Sequence, residues 1–371
     1  PSSIIIVGSG VFGLSTALAL ASRPAFARTR ITVLDRAPFP APDGASIDSS
    51  RIVRADYTDA AYAALGAAAQ DLWRHTPWGA DGRYEETGLV FTADPGGEAY
   101  VRASLQNVME INHGRDIEVL HNREEIARAA RCAGTGASGY VNWRSGWADA
   151  ERAMRYCRRR VEETRRVECR TAVVRRLIID HGVVKGVELA AGDKMLADLV
   201  VVAAGAWSGK LVDLRGRAQA TGQVLAYVDL TAEEQERLTP MPVSMNMSTG
   251  MFIISPRNRV LKVARHAYGY TNLVDEPGQQ IPAEGARDCR RMLREMVPEL
   301  GDRPWSKSRI CWYNDTPTGD FLITYHPNLK GLFIATGGSG HGFKFLPVIG
   351  ERIVDVMEHK PPPEFKEKWK W

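Results

Sequence analysis

The chain has 371 residues, 44% of them hydrophobic and 25% charged, with a formal net charge of +4. That length accommodates two domains or one large domain with insertions, and the composition is that of an ordinary globular protein. The charge is too small and too dispersed for a nucleic-acid partner, and no apolar run approaches the ~18 residues of a membrane-spanning helix.

The densest basic stretch, Arg155 to Arg166, contains Glu162 and Glu163 and reads as a solvated helix face. Cys132, Cys157, Cys169, Cys289 and Cys311 are odd in number, scattered and without a C-x-x-C pair, so neither a disulfide framework nor a metal site is expected. The first strand starts at once, leaving no room for a signal peptide, and an intracellular location is expected.

Ile4-Ile5-Ile6-Val7 is a short apolar run bounded by glycine, the mark of a buried parallel strand. Gly8-Ser9-Gly10-Val11-Phe12-Gly13 follows, then an Ala/Leu-rich helix from Leu14 to Ala21, then a second strand, Ile31 to Leu34, ending at Asp35. The order strand, G-x-G-x-x-G, helix, strand, acid is a dinucleotide-binding βαβ unit. Gly8 permits the tight turn, Gly10 admits a pyrophosphate, Gly13 lets helix and strand close up, and Asp35 is placed to accept from ribose hydroxyls.

Pro38, Pro40 and Pro42 end the second strand, and a loop leads into Arg51-Ile52-Val53-Arg54. Loops after such strands run toward the ligand crevice, so this arginine pair either reaches a flavin and an anionic substrate or forms a surface ion-pairing helix turn. Ala60 to Trp73 reads as a helix, Glu85 to Thr92 as a turn into a strand, and Asp149 as the cap of an Ala/Arg-rich helix reaching Thr164. The β-branched runs Thr171 to Ile179 and Val183 to Leu189 are expected as hairpins following that helix, not another crossover unit. Leu199 to Ala203 is an apolar strand ending in Ala204-Gly205-Ala206-Trp207, small residues that let a cofactor lie against it and suit an FAD fold better than an NAD one.

From Gln223 to Lys262 the periodicity is two, as for an inserted sheet. Lys262 lies between Leu261 and Val263 and points opposite to them, ordinarily toward solvent. A helix spans Ala283 to Met296. The strand Leu332 to Thr336 then runs into Gly337-Gly338-Ser339-Gly340-His341-Gly342-Phe343-Lys344, either a flexible loop or a close backbone approach to something flat or anionic, with a helix from Val348 to Met357 behind it.

Taken together, the opening glycines, Arg51-Ile-Val-Arg54, Gly205-Ala-Trp207, Lys262 with His266, Cys311-Trp-Tyr313 and Gly337 to Lys344 resemble the monomeric sarcosine oxidase family. Cys311-Trp-x-x-Asp315-Thr-Pro317 and Gly337-Gly-Ser-Gly340 are similar to its fungal branch of fructosyl-amino-acid oxidases (amadoriases) and saccharopine oxidases. The resemblance implies an α/β fold with an α+β insertion. It combines an FAD-binding Rossmann-like domain of the glutathione-reductase and D-amino-acid-oxidase type (1–80, 142–216, 317–371) with an antiparallel-sheet substrate domain (81–141, 217–316).

It further implies an oxidase of secondary-amine amino acids: hydride passes to FAD, oxygen becomes hydrogen peroxide, and the imine hydrolyses. Partners would be a small amino-acid substrate and O2, with a monomer acting in the cytoplasm or peroxisome, although Trp369-Lys370-Trp371 is no peroxisomal tripeptide. By the same resemblance, Cys311 holds the flavin covalently, Lys262 and Arg51 serve it as catalytic groups, Arg54 and Lys344 clamp the substrate carboxylate, and His266 and Tyr313 line the cavity. FAD contacts are carried by Gly8, Gly10, Val11, Phe12, Gly13, Asp35, Arg36, Ser50, Arg51, Ala204, Gly205, Trp207, Cys311, Gly338, Gly340, His341, Gly342, Phe343 and Lys344. Bland readings compete: packing for Cys311 and Tyr313, a satisfied core histidine for His266. Fructosyl-amino-acid oxidases often depart from Arg-x-x-Arg at positions 51 and 54, whereas sarcosine, pipecolate and saccharopine types keep it, as this chain does. A nicotinamide-dependent dehydrogenase and a non-catalytic flavoprotein are the readings from other classes.

Overall fold

The computed structural model describes residues 1–266, 269–270 and 281–371. The chain forms two compact units, Pro1–Asp48 with Ala150–Thr221 and Trp312–Trp371, and Ser49–Asp149 with Gly222–Cys311. Residues 49–80 and 142–149, expected with the nucleotide-binding part, fall in the second unit, where Arg51–Val53 and Gly146–Ala148 pair with each other, while 217–221 and 312–316, expected in the substrate domain, fall in the first.

The first unit carries a six-stranded sheet in the order Leu322–Tyr325, Leu332–Thr336, Leu199–Val202, Ser3–Val7, Arg30–Asp35, Val167–Thr171. All neighbours are parallel except the antiparallel edge strand Leu322–Tyr325. The central strands are buried on both faces, which is why they read as unbroken aliphatic runs. One face packs Ile5, Val7, Val200, Val202, Leu332 and Ile334 with Leu177, Val187 and Leu214.

Helices Val11–Ser22, Ala150–Glu163 and Ile349–Met357 belong to the same unit, and the last approaches the first so closely that a Cβ on Gly350 would lie 2.1 Å from the Ser15 carbonyl oxygen. Arg23, at the end of the first helix, reaches Glu351, Asp355 and Glu358 along the last one.

The run after the Ala/Arg-rich helix corrects the sequence expectation. Val167–Thr171 is a parallel edge strand paired with Arg30–Asp35, so a crossover does follow that helix. Its alternating Glu168 and Arg170 are solvent-facing edge residues and hide the strand in a charged context. The expected hairpin comes one strand later, between Val174–Asp180 and Val183–Leu189.

The second unit carries an eight-stranded sheet in the order Lys307–Asp315, Gln219–Asp229, Val260–Arg265, Met251–Arg257, Val243–Asn246, Leu89–Ala93, Ser138–Asn142, Ile117–Leu120. Val243–Asn246 lies parallel beside Leu89–Ala93, while Val260–Arg265 pairs antiparallel with Gln219–Asp229 and with Met251–Arg257, Val243–Asn246 with Met251–Arg257, and Ser138–Asn142 with Leu89–Ala93 and Ile117–Leu120. Alternation sorts the two faces: Val224, Ala226, Val228, Ile253, Leu261 and Val263 pack with Met292, Leu293 and Met296 of helix Ala283–Met296. The opposite parity brings up Lys262, registered between Tyr227 and Ile254.

Candidate active site

In the first unit, the turn between Ser3–Val7 and the following helix is closed by contacts that only glycine permits. Gly8 has φ +113°, and a Cβ there would meet the Ala203 carbonyl oxygen at 2.3 Å, while one on Gly13 would meet the Gly8 carbonyl oxygen at 1.9 Å. Helix Val11–Ser22 has no acidic residue in its first turn and no side-chain cap from Gly10, leaving its positive end available to an anion. The Val11 N–H donates to Ser46 Oγ at 3.0 Å, and Phe12 rests edge-on against Phe321.

Asp35 sits at the strand end where ribose recognition requires a carboxylate. Its Oδ2 accepts from the Ser9 backbone N–H at 2.7 Å and from Ser9 Oγ at 2.6 Å, which fixes its orientation. Arg36 lies 3.9 Å over the Trp207 ring and pairs with Asp43, so the two flat groups form one platform beside Ala204 and Gly205. These features fit a dinucleotide: a helix start without an acidic residue, a close-approach glycine turn, an oriented carboxylate and a flat platform.

The C-terminal glycine loop is rigid where its glycines meet neighbours. Asn314 Oδ1 accepts from the Gly337 N–H at 3.0 Å and from Thr336 Oγ1 at 2.8 Å, and Ser208 Oγ bonds Thr336 in turn. Gly340 has φ +69°, and a Cβ there would lie 2.2 Å from the Tyr313 ring; Gly342 and Gly338 lie against Phe12. His341 stacks on Phe321 at 4.8 Å, with Nε2 2.8 Å from the Gly319 carbonyl oxygen, an evident packing role. Lys344 is only 5% exposed, and its Nζ donates to the His341 carbonyl at 2.9 Å, so it is no surface lysine. Phe343 is buried beside it.

The second unit gathers the remaining candidates into two clusters. Lys262 is 3% exposed, not solvent-facing, and its Nζ donates to the Ser50 carbonyl at 2.9 Å. Arg51 reaches the same carbonyl through Nη1 and places Nη2 3.2 Å from the sulfur of buried Cys311. Ser50 thus joins Lys262, Arg51 and Cys311 in one group. His266 is half-buried, and its backbone N–H donates to the Gly250 carbonyl.

Arg54 forms the other cluster. It is 5% exposed, with its guanidinium carbon 4.6 Å from the Tyr57 ring centre and 5.2 Å from that of Phe91. Burial opposes its charge, but Tyr100, Tyr57 and the Asp56 carboxylate outweigh burial and raise its pKa above the ordinary arginine value. Burial pushes the Tyr57 phenol well above its ordinary value. Among the described residues Arg54 Nη1 is buried with no hydrogen-bond partner. A buried donor left unmade is costly, and a carboxylate is the acceptor that matches it best. Phe91, Tyr100 and Asp56 escaped the sequence reading; only the closeness of Asp56 to Arg54 in the chain pointed to any of them.

No group of three or more potential metal ligands occurs among the described residues, and no helix there is long and apolar enough to cross a membrane. The sequence matches the DAO family, FAD dependent oxidoreductase, over residues 3–356. It is 32% identical to the amino acid oxidase imqH of Aspergillus flavus, covering 96% of this chain and 93% of that protein. To the L-saccharopine oxidase of Schizosaccharomyces pombe it is 27% identical, covering 100% and 93%. Among solved structures, the fructosamine oxidase Amadoriase II of Aspergillus fumigatus superposes with a TM-score of 0.88 at 30% identity, over 100% of this chain and 89% of that one.

Proposed function

Because the chain belongs to the family of FAD-dependent oxidoreductases, we propose that it oxidises the C–N bond of an amino acid whose nitrogen is secondary. The observation that carries this reading is Arg54, a buried cation with a guanidinium nitrogen awaiting an acceptor, in the same unit as the buried Lys262. A substrate carboxylate would satisfy that nitrogen.

Bound FAD would supply the hydride acceptor, with O2 as the terminal oxidant reduced to hydrogen peroxide. The first turn of helix Val11–Ser22 with Gly8, Gly10 and Gly13 would hold its pyrophosphate, Asp35 its ribose, and Arg36 with Trp207 its adenosine end. Gly338, Gly340, Gly342 and Phe343 would line the ring end, and Cys311 would tether it. Lys262 and Arg51, both held to the Ser50 carbonyl, supply fixed positive charge where oxygen reduction builds negative charge. Loss of the hydride leaves an iminium that water cleaves to an amine and a carbonyl compound.

Retention of both Arg51 and Arg54 favours an N-alkyl amino acid bound directly through its carboxylate. A deglycating activity on fructosyl amino acids is the second reading, favoured by the likeness to Amadoriase II. Under nitrogen, sarcosine, pipecolate, saccharopine and fructosyl-valine are added separately and the flavin absorption followed; bleaching by one identifies the substrate branch. Lys262→Met should then slow oxygen uptake while leaving anaerobic bleaching nearly intact. Equal losses in both half-reactions would remove the proposed role of Lys262. Flavin that stays with acid-denatured wild-type protein but leaves the Cys311→Ala variant would establish the covalent tether.

A further inference from the structure

Resting on the reading of Arg54 as the carboxylate clamp, we propose that Asp56 is the positioning residue that holds this arginine in its binding geometry. Asp56 is fully buried, 0% exposed, yet among the described residues the hydrogen bonds to its carboxylate come from neutral side chains. Its carboxylate instead collects neutral donors from distant parts of the second unit. Oδ1 accepts from the Tyr140 hydroxyl at 2.9 Å and from Asn142 Nδ2 at 3.1 Å, and Oδ2 accepts from Ser145 Oγ at 2.7 Å and from Asn142 Nδ2 at 3.3 Å. A second layer fixes those donors: Ser104 Oγ bonds the Tyr140 hydroxyl, and Gln70 Nε2 donates to Ser145 Oγ and to the Arg144 carbonyl. A buried carboxylate costs free energy unless such donors surround it, so a neutral residue would serve the fold alone more cheaply.

What the carboxylate adds is control of the chain on which Arg54 sits. The Tyr57 N–H donates to the Ala55 carbonyl at 3.0 Å, a three-residue turn with Asp56 at its centre. That turn folds the Tyr57 ring back under the Arg54 guanidinium, and Asn107 Nδ2 anchors the far side through the Tyr57 and Thr58 carbonyls. Tyr140 closes the frame from above, since its hydroxyl holds Asp56 while its ring packs edge-on against Phe91, the second ring beside Arg54. The Asp56 charge also acts on Arg54, but less than Tyr100 and Tyr57 do, so its main contribution is the position of the clamp.

The test uses the flavin-loaded protein, with acetate as the carboxylate probe and acetamide as its neutral control, read as perturbation of the flavin absorption. Asp56→Ala should weaken acetate binding about tenfold or more and leave acetamide unchanged. Asp56→Asn should retain acetate affinity within about threefold, because the Ser145 hydroxyl can turn to accept from the new amide while Asn142 and Tyr140 still donate to the remaining oxygen. Should Asp56→Ala fail to fold, Tyr140→Phe removes one of the same bonds and should weaken acetate a few-fold. A folded Asp56→Ala or Tyr140→Phe protein with wild-type acetate affinity overturns the proposal. If Arg54→Met binds acetate as the wild type does, or the wild type binds none, the clamp reading fails and this inference falls with it. Weakening by Arg54→Met but not by the Asp56 or Tyr140 variants removes the positioning role alone.

Discussion

Gly66→Ala tests whether the backbone beneath Arg54 is as tightly placed as the structure has it. Gly66 is buried midway along helix Ala60–His75, in the run Ala-Ala-Tyr-Ala-Ala-Leu-Gly-Ala-Ala-Ala. On helix propensity alone the substitution should stabilise by about 1 kcal/mol. A Cβ at this position, however, would lie 2.9 Å from Ala55 Cα and 3.0 Å from the Arg54 carbonyl oxygen, both backbone atoms. Carbon atoms pack at roughly 3.5–4.0 Å, so the segment must retreat by half an ångström or more, at a cost of about 1–3 kcal/mol for overpacking. The two effects combine to a net loss of roughly 0–2 kcal/mol. The displaced atoms carry Arg54, so the larger effect should fall on substrate binding, with KM raised about tenfold and kcat changed less. Denaturant midpoints of wild type and variant, with steady-state oxygen uptake on the substrate that bleaches the flavin, give both quantities. A Gly66→Ala protein stabilised by the full ~1 kcal/mol, with unchanged KM, would falsify the close approach.

Two further outcomes follow from the packing. Arg303 grips Glu234 through both carboxylate oxygens, and the Thr231 N–H adds a third contact, so the Glu234 pKa falls from 4.5 to about 2. A lowered folded-state pKa means its stabilisation is complete above pH 4.5 and is lost as pH falls through about 2; Glu234→Gln should therefore be less stable than wild type at pH 6, with the gap closing toward pH 2 in thermal melts. Trp369 is 1% exposed, stacked on Phe365 at 4.2 Å and near Phe321 at 5.9 Å, and Trp369→Ala should cost about 3–5 kcal/mol in urea unfolding.

What was legible in the sequence is what short-range pattern encodes. The βαβ unit announces itself because turn, helix start and acid are all local, and alternation around Lys262 placed its side chain opposite to Leu261 and Val263. Pattern could not say that the opposite face is also covered, so the lysine read as solvent-facing. The strand Val167–Thr171 was missed because an edge strand needs only a weak apolar signal when the sheet beside it is already strong. The Asp56 network is invisible for a different reason. Its partners Tyr140, Asn142 and Ser145 lie some eighty or more residues away, and none carries a motif. Gly66, in an alanine-rich helix, reads as a weak helix former until the backbone against it is seen.

Arg23 and Arg54 show how far residue type underdetermines role. The Arg23 guanidinium meets carboxylates of Glu351, Asp355 and Glu358 and is partly exposed, so every charge in that group has a counter-charge or water. It is a strut between two helices, and exposed pairs of this kind are worth little individually. Arg54 is more deeply buried, sits between two aromatic rings, and keeps a nitrogen with no acceptor among the described residues. A protein selected for stability alone would replace it with an apolar residue of similar volume, since an imperfectly paired buried charge destabilises the fold. Arg54 is instead framed by Tyr57, Phe91 and a turn centred on Asp56. Under the proposed function, a substrate carboxylate would complete the unmet bond, and the free energy withheld from folding would then go into binding.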